Sequence, residues 1–302
     1  MKYHLIALFT IFVWGFTFVS TKVLLVDISP LWILLLRFAL GLCILCVMRP
    51  HILRLKERTD EALFATAGAT GIAAYYLLEN VALVFTTATA VGVIVAASPL
   101  FTALISASLG DRSSINIRFF CGFALAMAGL IVVGAGTMGE SDLVNFTSFD
   151  LFGDMLALTA ALVWAVYSTL VSRIAQKGYE TIAATKHTFV WGVAFILVIT
   201  LIFDPHAPQL SALLDWQNVL NLLFLGAVAS AACFVTWGVA VKHLGATTTT
   251  TYIYLVPAIT ATASILILGE PLNAPIILGL AMTIAGLLLS QKRKDNDGTT
   301  GT

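Results

Sequence analysis

Charge is what this chain has least of. Only 11% of its 302 residues are Asp, Glu, Lys or Arg, against about 25% in an ordinary soluble domain. The 16 basic and 16 acidic residues cancel to a formal net charge of zero, so no nucleic acid is expected as a partner. There is no Gly-x4-Gly-Lys-Ser/Thr segment and hence no phosphate-cradling loop for ATP. The five histidines (His4, His51, His187, His206, His243) are scattered and form no motif. Metal, cofactor and an enzymatic role are therefore not expected. The four cysteines all lie in apolar runs. Cys43 and Cys46 have CxxC spacing but no neighbouring acid or histidine, so they read as small packing residues. The first apolar run carries Trp14, is a full helix long and lacks a small-x-small cleavage site; it reads as a span, not a cleaved signal. Asn145-Phe146-Thr147 fits the glycosylation pattern, which matters only in a secretory-pathway protein.

What is present is apolar. Hydrophobic residues make up 59% of the chain and the mean hydropathy is +0.97. A core of soluble type cannot hide that much apolar surface, so lipid is the expected solvent, and each spanning helix needs about 20 apolar residues. Runs between charged or Pro/Gly breaks predict ten helices near 4–25, 31–48, 61–83, 87–109, 116–136, 151–172, 181–203, 217–241, 246–268 and 273–291.

The chain also repeats itself. Ala246-Thr247 follows Ala88-Thr89 by 158 residues, Pro257 follows Pro99 by 158, and Gly286 follows Gly129 by 157. With the N-terminus cytoplasmic, inside segments hold 14 of the 16 Lys and Arg, and Lys22 and Arg37 fall within spans. The opposite loops carry Asp27, Glu140, Asp142, Asp150, Asp204, Asp215 and Glu270. This positive-inside pattern predicts a multi-pass protein of a bacterial-type inner membrane with both termini cytoplasmic. Five helices per copy is an odd number, so the second copy enters from the opposite face. The expected fold is an all-α integral membrane protein of ten transmembrane helices in two inverted five-helix repeats, 4–136 and 151–291. Residues 292–302 form a polar tail, expected to be disordered and cytoplasmic.

Several residue pairs stand at matched places in the two copies. They are Trp14-Gly15 and Trp164-Ala165, Ala82-Leu83 and Ala240-Val241, Pro99 and Pro257, Gly110-Asp111 and Gly269-Glu270-Pro271, and Gly122 and Gly129 with Gly279 and Gly286. With Arg37-Phe38 they carry a resemblance to the drug/metabolite transporter superfamily, in its EamA-type ten-helix form. The resemblance implies a secondary carrier without an ATPase, exporting amino acids or related metabolites by alternating access. Proton-coupled efflux of cationic drugs or toxic metabolites is the alternative. The partners expected are a small-molecule substrate and the lipid bilayer, with the chain acting as a monomer or homodimer.

Residues then suggest a site. Trp14, Thr17, Phe18 and Thr21 share one face of helix 1, and Trp164, Tyr167 and Ser168 repeat that spacing on helix 6. Such stripes suit a wet cavity or a helix contact. Tyr75 and Tyr76 lie i−4 and i−3 from Glu79 in helix 3. A carboxylate inside a span costs about 2.5–3.5 kcal/mol, so Glu79 needs a partner. Either it pairs with Arg37 or Lys22, or it meets a substrate ammonium or a coupled proton. Trp237 stands 158 residues after Glu79, so the copies differ in chemistry there. Ser98, Trp237 and Tyr252 complete the expected substrate contacts. His187 is a candidate for coupling, and Pro99 and Pro257 are expected helix kinks.

Overall fold

In lipid, unpaired backbone groups are costly, so a chain this apolar is driven into continuous helices. The computed structural model describes residues 1–110, 116–137, 148–268 and 274–290. Asp111, Arg112, Glu140, Asp142, Asn145, the Gly269-Glu270-Pro271 segment and the tail from 292 lie outside the described residues. Among the described residues there is no strand.

The helices are α1 Lys2–Leu24, α2 Pro30–Met48, α3 Asp60–Phe85, α4 Ala88–Ser108, α5 Ile117–Thr137, α6 Ser148–Gln176, α7 Thr181–Phe203, α8 Trp216–Leu244, α9 Ala246–Ile267 and α10 Ala274–Ser290. Eight are long and apolar enough to cross a membrane; the apolar stretches of α5 and α10, Ile117–Gly129 and Ala274–Gly286, are shorter. The protein is a multi-pass membrane protein. Helix α6 runs four residues beyond the predicted end. It stops where Gly178 takes φ +75°, a backbone conformation open to glycine at little cost. A short helix, Leu210–Leu214, precedes α8.

Contacts between helix ends define two faces. On the face holding the N-terminus, Tyr3 stacks on His243, His4 bonds Tyr252, and Thr247 donates to Ser106. Arg49 pairs with Glu180 and Lys177 with Asp60 on the same face. We call this the basic face. There Asp60 and Glu57 hold the Lys177 ammonium above the ordinary lysine range, and burial followed by the Asp60 hydrogen bond pushes the Tyr179 phenol up. On the opposite, acidic face, Asn218 donates to Asp27 (3.0 Å), Ser29 to Asp204, and Lys22 to the carbonyls of Leu83 and Thr86.

Two pairs of helices use glycine for close approach. A Cβ on Gly122 would lie 2.6 Å from the carbonyl oxygen of Gly286, and one on Gly129 would lie 2.5 Å from that of Gly279. Helices α5 and α10 thus pack backbone to backbone, to the side of the other eight, as small residues permit in a membrane. Helix α7 meets α3 similarly, where a Cβ on Gly68 would lie 2.7 Å from the nitrogen of Gly192.

Irregular turns fall at matched places. Helix α4 lapses at Ala96 and Ala97, whose N–H groups bond three residues back, before resuming at Ser98-Pro99. Helix α9 narrows to a 3₁₀ turn at Tyr252–Leu255, immediately before Val256-Pro257. Proline lacks the N–H that would continue the ladder and crowds the preceding turn. Helices α3 and α8 each contain a π-helical segment, Ala69–Ala74 and Phe224–Ala232. Such widened turns often sit at functional sites.

Candidate functional site

The π segments set the facing of the residues beyond them. After Ala74, α3 presents Tyr75, Tyr76 and Glu79; after Ala232, α8 presents Cys233, Phe234 and Trp237. Helices α1 and α6 bring Trp14 and Trp164 to the same point. The rings of Trp14 and Trp164 meet edge-on at 5.1 Å between centroids, and Trp237 lies 5.1 and 5.6 Å from them. Tyr75 is 4.7 Å and Tyr167 5.0 Å from Trp164. Phe234 touches Trp14, Trp164, Tyr76 and Tyr167. All these rings are buried, and edge-to-face pairs of this kind prefer such offset geometry.

Polar groups are embedded in this aromatic box. Trp14 donates from Nε1 to the Ala229 carbonyl within the α8 π segment (2.9 Å). The Glu79 side chain is buried, and its Oε1 has no hydrogen-bond partner. The same holds for both terminal nitrogens of Arg37, for Nε1 of Trp164 and Trp237, and for the Ser168 hydroxyl. Buried donors and acceptors without partners are costly, so their clustering in one place marks it as a site.

Seven of the twelve expected substrate contacts line one cavity: Trp14, Thr17, Phe18, Tyr75, Tyr76, Glu79 and Trp164, joined by Val95, Ile253 and Val256. Its volume is about 20 Å³, room for about one water. Ligand pockets measure about 300–1,000 Å³, so the box is closed on itself in this conformation. Tyr167 and Trp237 form its further wall through their ring contacts, and Ser168 follows Tyr167 on α6. Ser98 donates to the Val95 carbonyl at the α4 lapse, which satisfies an acceptor freed by the kink. Tyr252 stands elsewhere: it lies near the start of α9 at the basic face, where its hydroxyl meets His4 at 2.6 Å.

The charged residues also separate. Among the described residues no Arg37–Glu79 ion pair within 4.0 Å is formed. Arg37 donates from Nε to Ser230 (3.2 Å), and its guanidinium lies 4.4 Å over the Tyr76 ring. That cation–π contact holds Arg37 beside the box. Lys22 is drawn instead to the carbonyls ending α3, where the helix dipole favours a cation. His187 bonds Glu61 at 2.9 Å on the basic face, with Trp191 donating to the same oxygen at 2.6 Å.

Sequence reasoning missed Phe234, Ser230 and Phe38. Phe234 was legible, since it stands 158 residues after Tyr76. Ser230 was not, because the π turn rather than helical spacing aims it at Arg37. Gly71 was missed for the same reason: a Cβ there would enter the ring of Tyr167. Gly71→Ala is therefore expected to displace Tyr167, cost about 1–3 kcal/mol of stability, and disturb the box. Thermal unfolding of the purified variant tests this; an unchanged midpoint would refute it.

The EamA-like transporter family matches over residues 1–135 and 151–291. This chain belongs to that family. An uncharacterized transporter from Archaeoglobus fulgidus is 27% identical over 97% of this chain and 98% of its own. A probable amino-acid metabolite efflux pump of Escherichia coli is 26% identical over 96% of this chain and 94% of its own. A probable terminal-alkyne amino-acid exporter of Streptantibioticus cattleyicolor is 27% identical over 81% of this chain and 77% of its own. A solved crystal structure covering 96% of each chain aligns with TM-score 0.70 at 19% identity, which shows a shared fold. The EamA-like chain is thus a membrane transporter.

Proposed function

We propose that this EamA-like protein is a secondary transporter that moves a small amphipathic metabolite, with amino-acid export as the first assignment, by alternating access. The observation that carries this reading is the closed aromatic box holding Glu79 and Arg37, buried and not paired with each other. Aromatic walls suit the apolar part of a solute, and two separated opposite charges suit its ammonium and carboxylate. Two relatives named for amino-acid export or amino-acid metabolite efflux support the same cargo class.

The inverted-repeat arrangement is supported by reciprocal contacts. The residue capping the start of α2, Ser29, bonds Asp204, which caps the end of α7; Glu180, capping the start of α7, pairs with Arg49, which caps the end of α2. A twofold axis in the membrane plane produces such exchange. The basic face is then cytoplasmic by the distribution of Lys and Arg. A polar cavity of about 430 Å³ lies on that face, between Ser106, Thr169, Arg173 and Thr247.

Purified protein in liposomes is expected to exchange a labelled amino acid without ATP, in proportion to the protein inserted. Folded protein that moves no member of a broad amino-acid and metabolite panel would overturn the reading. Efflux of cationic drugs is the second reading, favoured by the buried Glu79 carboxylate among aromatic rings; saturable drug flux with no amino-acid flux would select it.

A further inference from the structure

The contacts closing the two faces are built alike but from different chemistry. On the basic face, residues 49–61 of the first half meet residues 177–191 of the second. Arg49 pairs with Glu180 at 2.8 Å, and Lys177 pairs with Asp60 at 2.6 Å and Glu57 at 3.2 Å. Tyr179 donates to the same Asp60, whose side chain is 1% exposed. Lys186 donates to the carbonyls of Arg49 and His51, and His187 meets Glu61. On the acidic face the corresponding bonds use neutral donors: Ser29 and Trp32 to Asp204, and Asn218 to Asp27. The correspondence is close in sequence, since Asn218 follows Asp60 by 158 residues and Tyr179 follows Asp27 by 152.

We propose that the Arg49–Glu180 and Lys177–Asp60–Tyr179 contacts are a releasable electrostatic latch that shuts the basic face. The proposal rests on the alternating-access reading for its purpose, but the latch itself is read without flux. Each of these contacts joins one half of the chain to the other, so opening that face must break them. The Arg49–Glu180 pair is 43% and 48% exposed and contributes little on its own, whereas the Lys177–Asp60 pair is the costlier to part because Asp60 is buried. Glu180 at the start of α7 and Arg49 at the end of α2 also match the helix dipoles, whereas Asp204 at the end of α7 opposes its own. Salt screens exposed charge pairs, so the basic face should open more readily as ionic strength rises.

The protein supplies its own reporter. Cys233 is fully buried beside the box, whereas Cys43, Cys46 and Cys121 are exposed. With those three changed to Ser, a membrane-impermeant charged thiosulfonate reaches Cys233 only through an open face. In vesicles of defined sidedness, Arg49→Glu or Glu180→Arg should raise labelling from the basic face about fivefold. The double exchange Arg49→Glu/Glu180→Arg should return it to near the parent rate. In the parent protein, raising salt from about 0.02 to 0.5 M should speed labelling from the basic face. A flat salt response at the basic face overturns the latch, as does a folded double exchange that labels like the single variants. If the single variants fail to fold, the salt series decides alone. Latch-dependent labelling in a protein that moves no solute would instead count against the transport reading.

Discussion

Glu79→Gln is expected to abolish most transport while leaving the protein as stable as before. The substitution keeps shape and removes charge. Were Glu79 half of a structural ion pair, breaking it would cost about 3–5 kcal/mol of stability. The structure places no basic group within 4.0 Å of it among the described residues, and Oε1 has no hydrogen-bond partner. Removing a buried charge that no ion pair neutralises saves desolvation, so stability should hold or rise by about 1 kcal/mol. If Glu79 meets the ammonium of the cargo, the variant loses about 3 kcal/mol of binding, roughly a hundredfold in flux at low substrate. Flux in liposomes and unfolding midpoints, measured on the same preparation, separate the cases. A large stability loss, or flux within about twofold of the parent, would remove Glu79 from the proposed site.

Gly286→Val is expected to give the largest loss of stability, about 3 kcal/mol or more. A Cβ at Gly286 would lie 2.5 Å from both the nitrogen of Ala126 and the carbonyl oxygen of Gly122. Those are backbone atoms of α5, so the only relief is to part the two helices. Valine adds two methyl groups to that collision. Gly92→Ala is the contrast: its Cβ would meet Thr260 at 3.3 to 3.5 Å, and the cost should stay below about 1 kcal/mol. Unfolding titrations in detergent compare the two. Equal stabilities would mean that α5 and α10 are not held by backbone contact.

Much of the fold was legible because lipid makes apolar runs into helices. Among the described residues each predicted run is helical, and eight of the helices are long and apolar enough to cross a membrane. The glycines of α5 and α10 were readable as packing residues for the same reason. The site was legible in part. Trp14, Trp164, Tyr75, Tyr76 and Glu79 share helix faces by simple spacing, and they converge. Tyr252 lies apart from them, bonded to His4 near the start of α9. Ser230 and Gly71 stayed hidden because π turns rotate the face on which later residues emerge.

The ionic partners were the least readable. Glu79, Arg37 and Lys22 fall at similar depth by residue count, and a pair of Glu79 with either cation satisfied the sequence. The structure sends Lys22 to carbonyls at the end of α3 and lays Arg37 over Tyr76. Similarly, nothing in the spacing of Arg49, Lys177 and Glu180 joined them across the chain.

The sequence by itself determined the solvent, the helices, the repeat offset and the bias of basic residues to one side. Each follows from composition or period, which are local properties of the chain. Only the tertiary structure decided that the aromatic stripes of four helices close into one box, that Glu79 and Arg37 stand apart, and that ion pairs join the two halves on the basic face. Those depend on helix rotation and on distances between segments far apart in sequence, which irregular turns set and periodicity does not encode.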